Sequence, residues 1–191
     1  MMPSAIDIRS YAFTGQERLL LDANVWLSIY GPDPTHRRRS AIYQAAFRKM
    51  REASSRLFLD VLILSEFINA CARMEYRQRW PEGLSGDFKQ QFRDSADFLP
   101  VAQEIAINAT RICCAVTKCG TGFDAMDVGR VLVEYARGQS DFNDLVLSSL
   151  CIRQGFAFVT DDADFKGSGH PILTANSKLL EDAAKPSQGA S

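Results

Sequence analysis

Short apolar runs alternate with longer segments whose apolar residues recur at helical spacing, and this alternation continues along most of the chain. The run Leu19-Leu20-Leu21, within residues 18–23, ends in polar residues and reads as a buried strand. A helix is expected from near Val25. Gly31-Pro32-Asp33-Pro34 breaks it, and residues 35–53 then carry Ile42, Ala45, Ala46 and Lys49 at helical spacing. Residues 56–61 read as a second strand. Leu64, Phe67, Ile68 and Cys71 follow at i, i+3, i+4 and i+7, which predicts an amphipathic helix carrying Glu66, Asn69, Ala70 and Arg73 on another face.

Residues 80–86, rich in Pro and Gly, interrupt the pattern. Helices are expected over residues 87–98 and again after Pro100. Residues 111–117 fit either a third short strand or the tail of the preceding helix. Residues 124–136 and 144–154 read as helices, the second closed by Gly155. Residues 156–160 form the next strand and 171–174 a short last one. Strands alternating with helices predict an α/β fold, a three-layer α/β/α sandwich around a central parallel sheet. The expected organisation is an extension over 1–18, one domain over 19–182 and a disordered tail over 183–191.

Composition narrows the chemistry. At 191 residues with 46% hydrophobic and 24% charged residues, the chain has the make-up of a single globular domain. No apolar run approaches the roughly 20 residues that cross a bilayer. The first residues lack the charged-then-apolar order of a signal peptide, so a cytoplasmic location is expected. Five cysteines without a CxxC pair read as reduced core residues. Two histidines, His36 and His170, leave little material for a zinc site or a histidine-dependent triad. A net charge of −1 provides no general basic field, so any polynucleotide would have to be held by local basic patches.

Four carboxylates stand out against that background. Asp22 closes the first strand, Glu66 is expected near a helix start, Asp144 opens a helix, and Asp162 follows a strand. In an open parallel sheet the carboxyl ends of the strands share one edge, where ligands bind. Acids gathered there repel one another unless a cation lies between them. Hard divalent ions such as Mg²⁺ or Mn²⁺ suit an all-oxygen set, and the chemistry such a site points to is that of phosphodiesters. Blander readings exist for each acid: a helix cap at Asp22 or Asp144, a solvated face at Glu66, a turn at Asp162.

The segments Leu-Leu-Leu-Asp22-Ala-Asn24-Val, Leu-Ser65-Glu66-Phe-Ile-Asn69-Ala, Asp141-Phe-Asn-Asp144-Leu-Val and Phe-Val-Thr160-Asp-Asp162-Ala-Asp164-Phe165 resemble the successive motifs of the PIN domain family. Its members include the VapC-type toxins of bacterial toxin–antitoxin pairs. The resemblance runs from about Leu19 to Thr174, and the chain has extra material before Leu19 and over residues 76–124. It implies a Mg²⁺- or Mn²⁺-dependent ribonuclease, with Asp22, Glu66, Asp144 and Asp162 as metal ligands and activators of water. Asn24, Asp141, Thr160 and Asp164 are expected to support or join them. It also leaves open an antitoxin protein and a second copy of the chain as partners. Two basic clusters are candidates for RNA contact. One is Arg37, Arg38 and Arg39; the other is Arg73, Arg77, Arg79 and the ring of Trp80. The competing readings are an idle PIN-like scaffold, a haloacid-dehalogenase-type phosphohydrolase and a receiver domain. The second wants an acid where Asn24 stands, and the third wants a lysine late in the chain that residues 156–164 lack.

Overall fold

A computed structural model describes residues 5–32, 37–79 and 88–183. Trp80 and the tail from residue 184 lie outside them. Within the described residues, six strands are joined in one sheet, β1 (Ala5–Asp7), β2 (Arg18–Leu21), β3 (Arg56–Leu59), β4 (Thr117–Lys118), β5 (Ala157–Val159) and β6 (Ile172–Thr174). Their order is β1-β6-β5-β2-β3-β4, and every pairing is parallel. The expected central parallel sheet is therefore present. Leu19, Leu20 and Leu21 are fully buried because β2 is central and covered on both faces, which explains a continuous apolar run in place of an alternating one. At one edge β4 exposes both of its residues, and at the other the segment ahead of Leu19 contributes β1, a strand the hydrophobic pattern did not announce.

The helices are α1 (Ala23–Tyr30), α2 (Arg37–Glu52), α3 (Val61–Arg79), α4 (Phe98–Ala115), α5 (Val128–Tyr135), α6 (Phe142–Gln154) and α7 (Ser177–Ala183). The chain first steps from β2 to β3 to β4, then returns across the sheet through α5 and α6 to β5 on the far side of β2. Right-handed crossovers in opposite directions put their helices on opposite faces. Accordingly α1 packs on α2 and α3, and α3 on α4, whereas α5 packs on α6. The chain reverses direction between β2 and β5, the place where open α/β sheets leave a crevice at the strand ends.

Several local expectations shift. Residues 111–117 are mainly the end of α4, with only Thr117–Lys118 in a strand. The helix expected after Pro100 begins at Phe98 and takes that proline into its first turn, where no backbone N–H is missed. On α3 the buried stripe is Ile63, Phe67, Cys71 and Ala72, so Ile68 turns outward and the face predicted from spacing is rotated. On α2 it is Tyr43, Ala46 and Met50. Residues 89–93 form one π-helical turn whose Phe92 is fully buried, ringed by Tyr76, Phe88 and Phe98 at centroid distances of 5.8, 6.0 and 5.3 Å. This aromatic cluster anchors the middle segment to the end of α3.

One backbone position is tightly constrained. Gly15 has φ +82°, and a Cβ there would lie 2.4 Å from the Ala53 carbonyl oxygen. The Glu17 carboxylate accepts the Thr14 and Gly15 N–H groups and the Thr14 and Ser55 hydroxyls, tying this turn to the chain entering β3. Gly15→Ala should lower stability by at least about 1–2 kcal/mol from the left-handed backbone alone, and by more from the clash with backbone. Urea unfolding at neutral pH measures it, and an unchanged midpoint would mean the turn can reopen without cost.

Candidate active site at the strand edge

The site is built from the register of β2 and β5. Leu21 lies opposite Val159, so the next residues, Asp22 and Thr160, leave their strands side by side. Thr160 is fully buried, and its Oγ1 donates to Asp22 Oδ2 at 2.6 Å. The same oxygen accepts from Asn24 Nδ2 at 3.1 Å and from the Asp162 N–H at 3.0 Å. A hydroxyl has one donor and two lone pairs, so Thr160 is fully used. Asn24 Nδ2 also donates to Asp22 Oδ2 at 2.6 Å, while its Oδ1 accepts the Asp161 N–H at 3.1 Å. Only one orientation of that amide satisfies both neighbours.

Asp22 is the N-cap of α1, its Oδ1 accepting the Ala23 N–H at 2.7 Å. The cap reading of this residue is therefore correct, and it leaves Asp22 at the strand edge. Asp22 is 5% exposed, and burial pushes its carboxyl up to about 7. Its Thr160 and Ala23 hydrogen bonds oppose that rise, and the charges of Glu66 and Asp144 add to it. Burial wins by magnitude. A carboxylate held near 7 is disfavoured by on the order of 4 kcal/mol, against roughly 0.3–1 kcal/mol gained from a helix N-terminus.

The other acids arrive from opposite layers. Glu66 is the sixth residue of α3 and not at its start, because Asp60 caps that helix and Val61 begins it. Asp144 is the third residue of α6, which opens at Phe142. Asp144 is half-buried, and its carboxyl is pushed up to about 6, first by burial and then by Asp162, Asp141, Glu66 and Asp164. Glu66 meets solvent, yet it too is raised, by burial and then by Asp162 and Asp141. Asp141 occupies the N-cap position of α6 without making a capping bond. Asp162 is exposed, and its Oδ1 accepts the Asp164 N–H at 3.0 Å, so the turn reading also holds for it.

Glu66, Asp141, Asp144, Asp162 and Asp164 thus lie within electrostatic reach of one another, with Asp22 behind them. Among the described residues, none of these six is paired with an arginine or lysine. Nor do any three acidic, histidine or cysteine side chains among the described residues stand close enough to form a ready-made ion cage. Burial raises the Asp22, Glu66 and Asp144 carboxyls first, and the neighbouring like charges raise them further. An all-oxygen, uncompensated donor set fits a hard divalent cation. It gives no support to zinc, since His170 is buried behind α6 with its Nε2 3.4 Å from Ser148 Oγ.

Two acids of this edge escaped notice in the sequence. Asp161 is buried, with Oδ1 accepting from the Tyr43 hydroxyl at 2.8 Å and Oδ2 2.7 Å from Arg39 Nε. Asp60 is fully buried, with Oδ1 accepting the Leu62 N–H at 2.8 Å and Oδ2 without a partner among the described residues. The signal for Asp60 was present, since it follows an apolar strand as Asp22 does. For Asp161 the Thr-Asp-Asp repeat obscured which acid turns inward.

The basic clusters separate. Arg79 is engaged in packing, 3.9 Å from Glu75, donating to the Asp97 carbonyl at 3.4 Å and lying 5.3 Å over the Phe92 ring. Arg73 and Arg77 are exposed farther along α3, about 10 and 16 Å beyond Glu66 along the axis. Arg37, Arg38 and Arg39 open α2, and the last two line a cleft that touches Asn24 and Asp162.

The parallel sheet, the reversal at β2 and β5 and the acids at that edge define a nuclease-type α/β fold. A family model described as PIN domain matches residues 19–168, and the chain belongs to that family. No curated protein matches the sequence. A crystal structure of PAE2754 from Pyrobaculum aerophilum is similar at 15% identity and a TM-score of 0.48, over 91% of this chain and 95% of that one. Among the described residues, no helix is long and apolar enough to cross a membrane.

The raised carboxyls set a pH dependence for the metal-free protein. A group whose pKa is higher folded than unfolded binds more protons in the native state, so stability is lost as pH rises through the folded value. For Asp22 and Asp144 that window runs from about 4 to about 7. In chelator, Tm should fall by roughly 5 °C between pH 5 and pH 8. Mg²⁺ should recover more of it at pH 8 than at pH 5. A metal-free Tm that rises over this interval would mean the acids are not crowded.

Proposed function

We propose that this chain is a divalent-metal-dependent endoribonuclease, hydrolysing RNA phosphodiester bonds at the edge formed by Asp22, Glu66, Asp144 and Asp162. The observation that carries the reading is the gathering of Asp22, Glu66, Asp144 and Asp162 at the strand edge set by the β2–β5 register, with no arginine or lysine among the described residues paired to any of them. Bound Mg²⁺ or Mn²⁺ would polarise a phosphoryl oxygen and lower the pKa of a coordinated water. Asp22, Glu66, Asp144 and Asp162 would hold the ion.

The chain's own residues divide the remaining work. Thr160 and Asn24 fix the Asp22 carboxylate in one orientation through Oδ2, which spares reorganisation when a ligand arrives. With an ion bound, the Asp144 and Glu66 carboxylates would be held in their ionised form, reversing the rise they show without it. A carboxylate of the edge left free of the ion could take a proton from an attacking water. Hydrolysis needs no protein nucleophile: water adds to phosphorus and gives its proton to a carboxylate or solvent, while the bond to the leaving oxygen breaks and that oxygen takes a proton from solvent. Asp141 and Asp164 contribute charge from the rim. A toxin role would add an antitoxin protein as partner, and a small DNA-binding-type reading frame beside this one would favour it.

Asp144→Asn is a cleaner probe than Asp22→Asn. Both Asp22 oxygens accept hydrogen bonds, so an amide there would point its NH₂ at a donor, whereas among the described residues Asp144 has no hydrogen-bond partner to lose. Asp144→Asn should lower RNA cleavage by about 10²–10³-fold with Tm preserved, and Asp141→Asn by no more than about tenfold. Equal losses would put Asp141 in direct contact with the ion.

Cleavage should stop in excess chelator and return with Mg²⁺ or Mn²⁺, without added zinc. Activity that survives exhaustive chelation would exclude metal-assisted hydrolysis, and RNA binding without cleavage under any ion would identify an idle scaffold.

A further inference from the structure

Beside the acidic edge lies an open cleft of about 810 Å³ whose walls come from α1, α2, the residues after β5, and the residues that lead from β6 into α7. Its charged lining residues are Arg38, Arg39, Lys178, Asp161 and Asp162. Arg39 and Asp161 are paired at 2.7 Å and cancel. What remains is polarised. Arg38 and Lys178 are exposed, and no carboxylate among the described residues pairs with either; Asp162 lies toward the acid cluster.

The walls are tied together by hydrogen bonds, the Tyr43–Asp161 bond among them fully buried. The Tyr43 hydroxyl donates to Asp161 Oδ1 at 2.8 Å and accepts the Ala175 N–H at 3.1 Å. Asn176 Nδ2 donates to the Asp161 carbonyl at 2.6 Å, and Asn176 Oδ1 accepts the Lys178 N–H at 2.9 Å. The backbone of α2, of the residues after β5 and of those leading into α7 is therefore held in a fixed relation around the cleft. A cleft organised in advance loses less entropy on binding than one that must assemble.

We infer that this cleft is a phosphate-binding subsite for single-stranded RNA, in which Arg38 and Lys178 hold backbone phosphates flanking the scissile bond. The inference rests on the nuclease reading for the identity of the strand. The α3 arginines are the alternative path, but none of them lines this cleft, and Arg79 is already engaged. Lys178 had no place in the sequence reading, because only the fold brings α7 beside α2.

The test is the salt dependence of binding to a short labelled single-stranded RNA, read by fluorescence anisotropy in chelator. Each phosphate contact to a single strand contributes about 0.7 to the slope of log affinity against log salt. R38A/K178A should flatten the slope by about 1.4 and weaken low-salt affinity by on the order of tenfold or more. The charge-conserving pair R38K/K178R should keep the wild-type slope, which separates loss of charge from loss of fold. R73A/R77A should leave the slope unchanged. Hydrolysis of a small phosphodiester by the wild-type protein with Mg²⁺ or Mn²⁺ tests the nuclease reading separately. If wild type hydrolyses nothing, the nuclease reading fails, while a flattened slope still supports the subsite. A slope and affinity unchanged in R38A/K178A, or lost instead in R73A/R77A, overturns it.

Discussion

The hydroxyl of Thr160 is the junction on which the site depends. Parallel register brings β2 and β5 to the same level at Leu21 and Val159, so the next residues meet whatever they are. With Thr160 as one of them, a single oxygen binds the Asp22 carboxylate, the Asn24 amide and the Asp162 backbone. Those three belong to the end of one strand, the first turn of α1 and the turn after β5. Every lone pair and proton is used, and the group is fully buried, so removing it would leave donors and a carboxylate without partners in a region closed to water. Orientation of the acidic edge is thus a property of the sheet, not of flexible side chains.

Much of this was legible in the chain because the decisive patterns are local. An apolar triplet closed by Asp-Ala-Asn announces a buried parallel strand feeding a helix, and Phe-Val-Thr-Asp-Asp announces its neighbour. Where readings failed, long-range packing decided. β1 is three residues long and becomes a strand only by pairing with β6 from the far end of the chain. The buried stripe of α3 is set by its neighbours α1 and α4, so spacing gave the period but not the phase. Arg79 looked like a phosphate contact because cations near aromatic residues suit single strands, yet its guanidinium covers Phe92, the centre of a packed aromatic cluster.

Charge is distributed along the strand edge in a way composition conceals. A net charge of −1 is nearly neutral, but the edge gathers six acids on one side and leaves Arg38 and Lys178 unmatched on the other. A polyanion approaching such an edge is repelled at the acid end until cations neutralise it, and attracted at the basic end at once. Under the nuclease reading, binding and chemistry would then have separate electrostatic requirements, and chelation and salt would act on different steps.

Two adjacent acids show how the fold assigns roles that residue type alone does not. Asp161 and Asp162 follow the same strand, and successive side chains of extended backbone point to opposite sides. Asp161 turns inward toward α2, where Tyr43 and Arg39 satisfy both oxygens and the carboxylate becomes part of the frame. Asp162 turns outward, keeps contact with solvent, and adds its charge to the cluster that raises Glu66 and Asp144. A slip of one residue in the pairing of β5 would exchange the two. It would bury the outer charge without a partner and send the structural one into the site. Thr160 forbids that slip, because moving its hydroxyl would leave the Asp22 carboxylate, the Asn24 amide and the Asp162 N–H without their shared partner in a buried region. The selection of one aspartate over its neighbour is therefore enforced by the buried polar junction at the end of the strand before it.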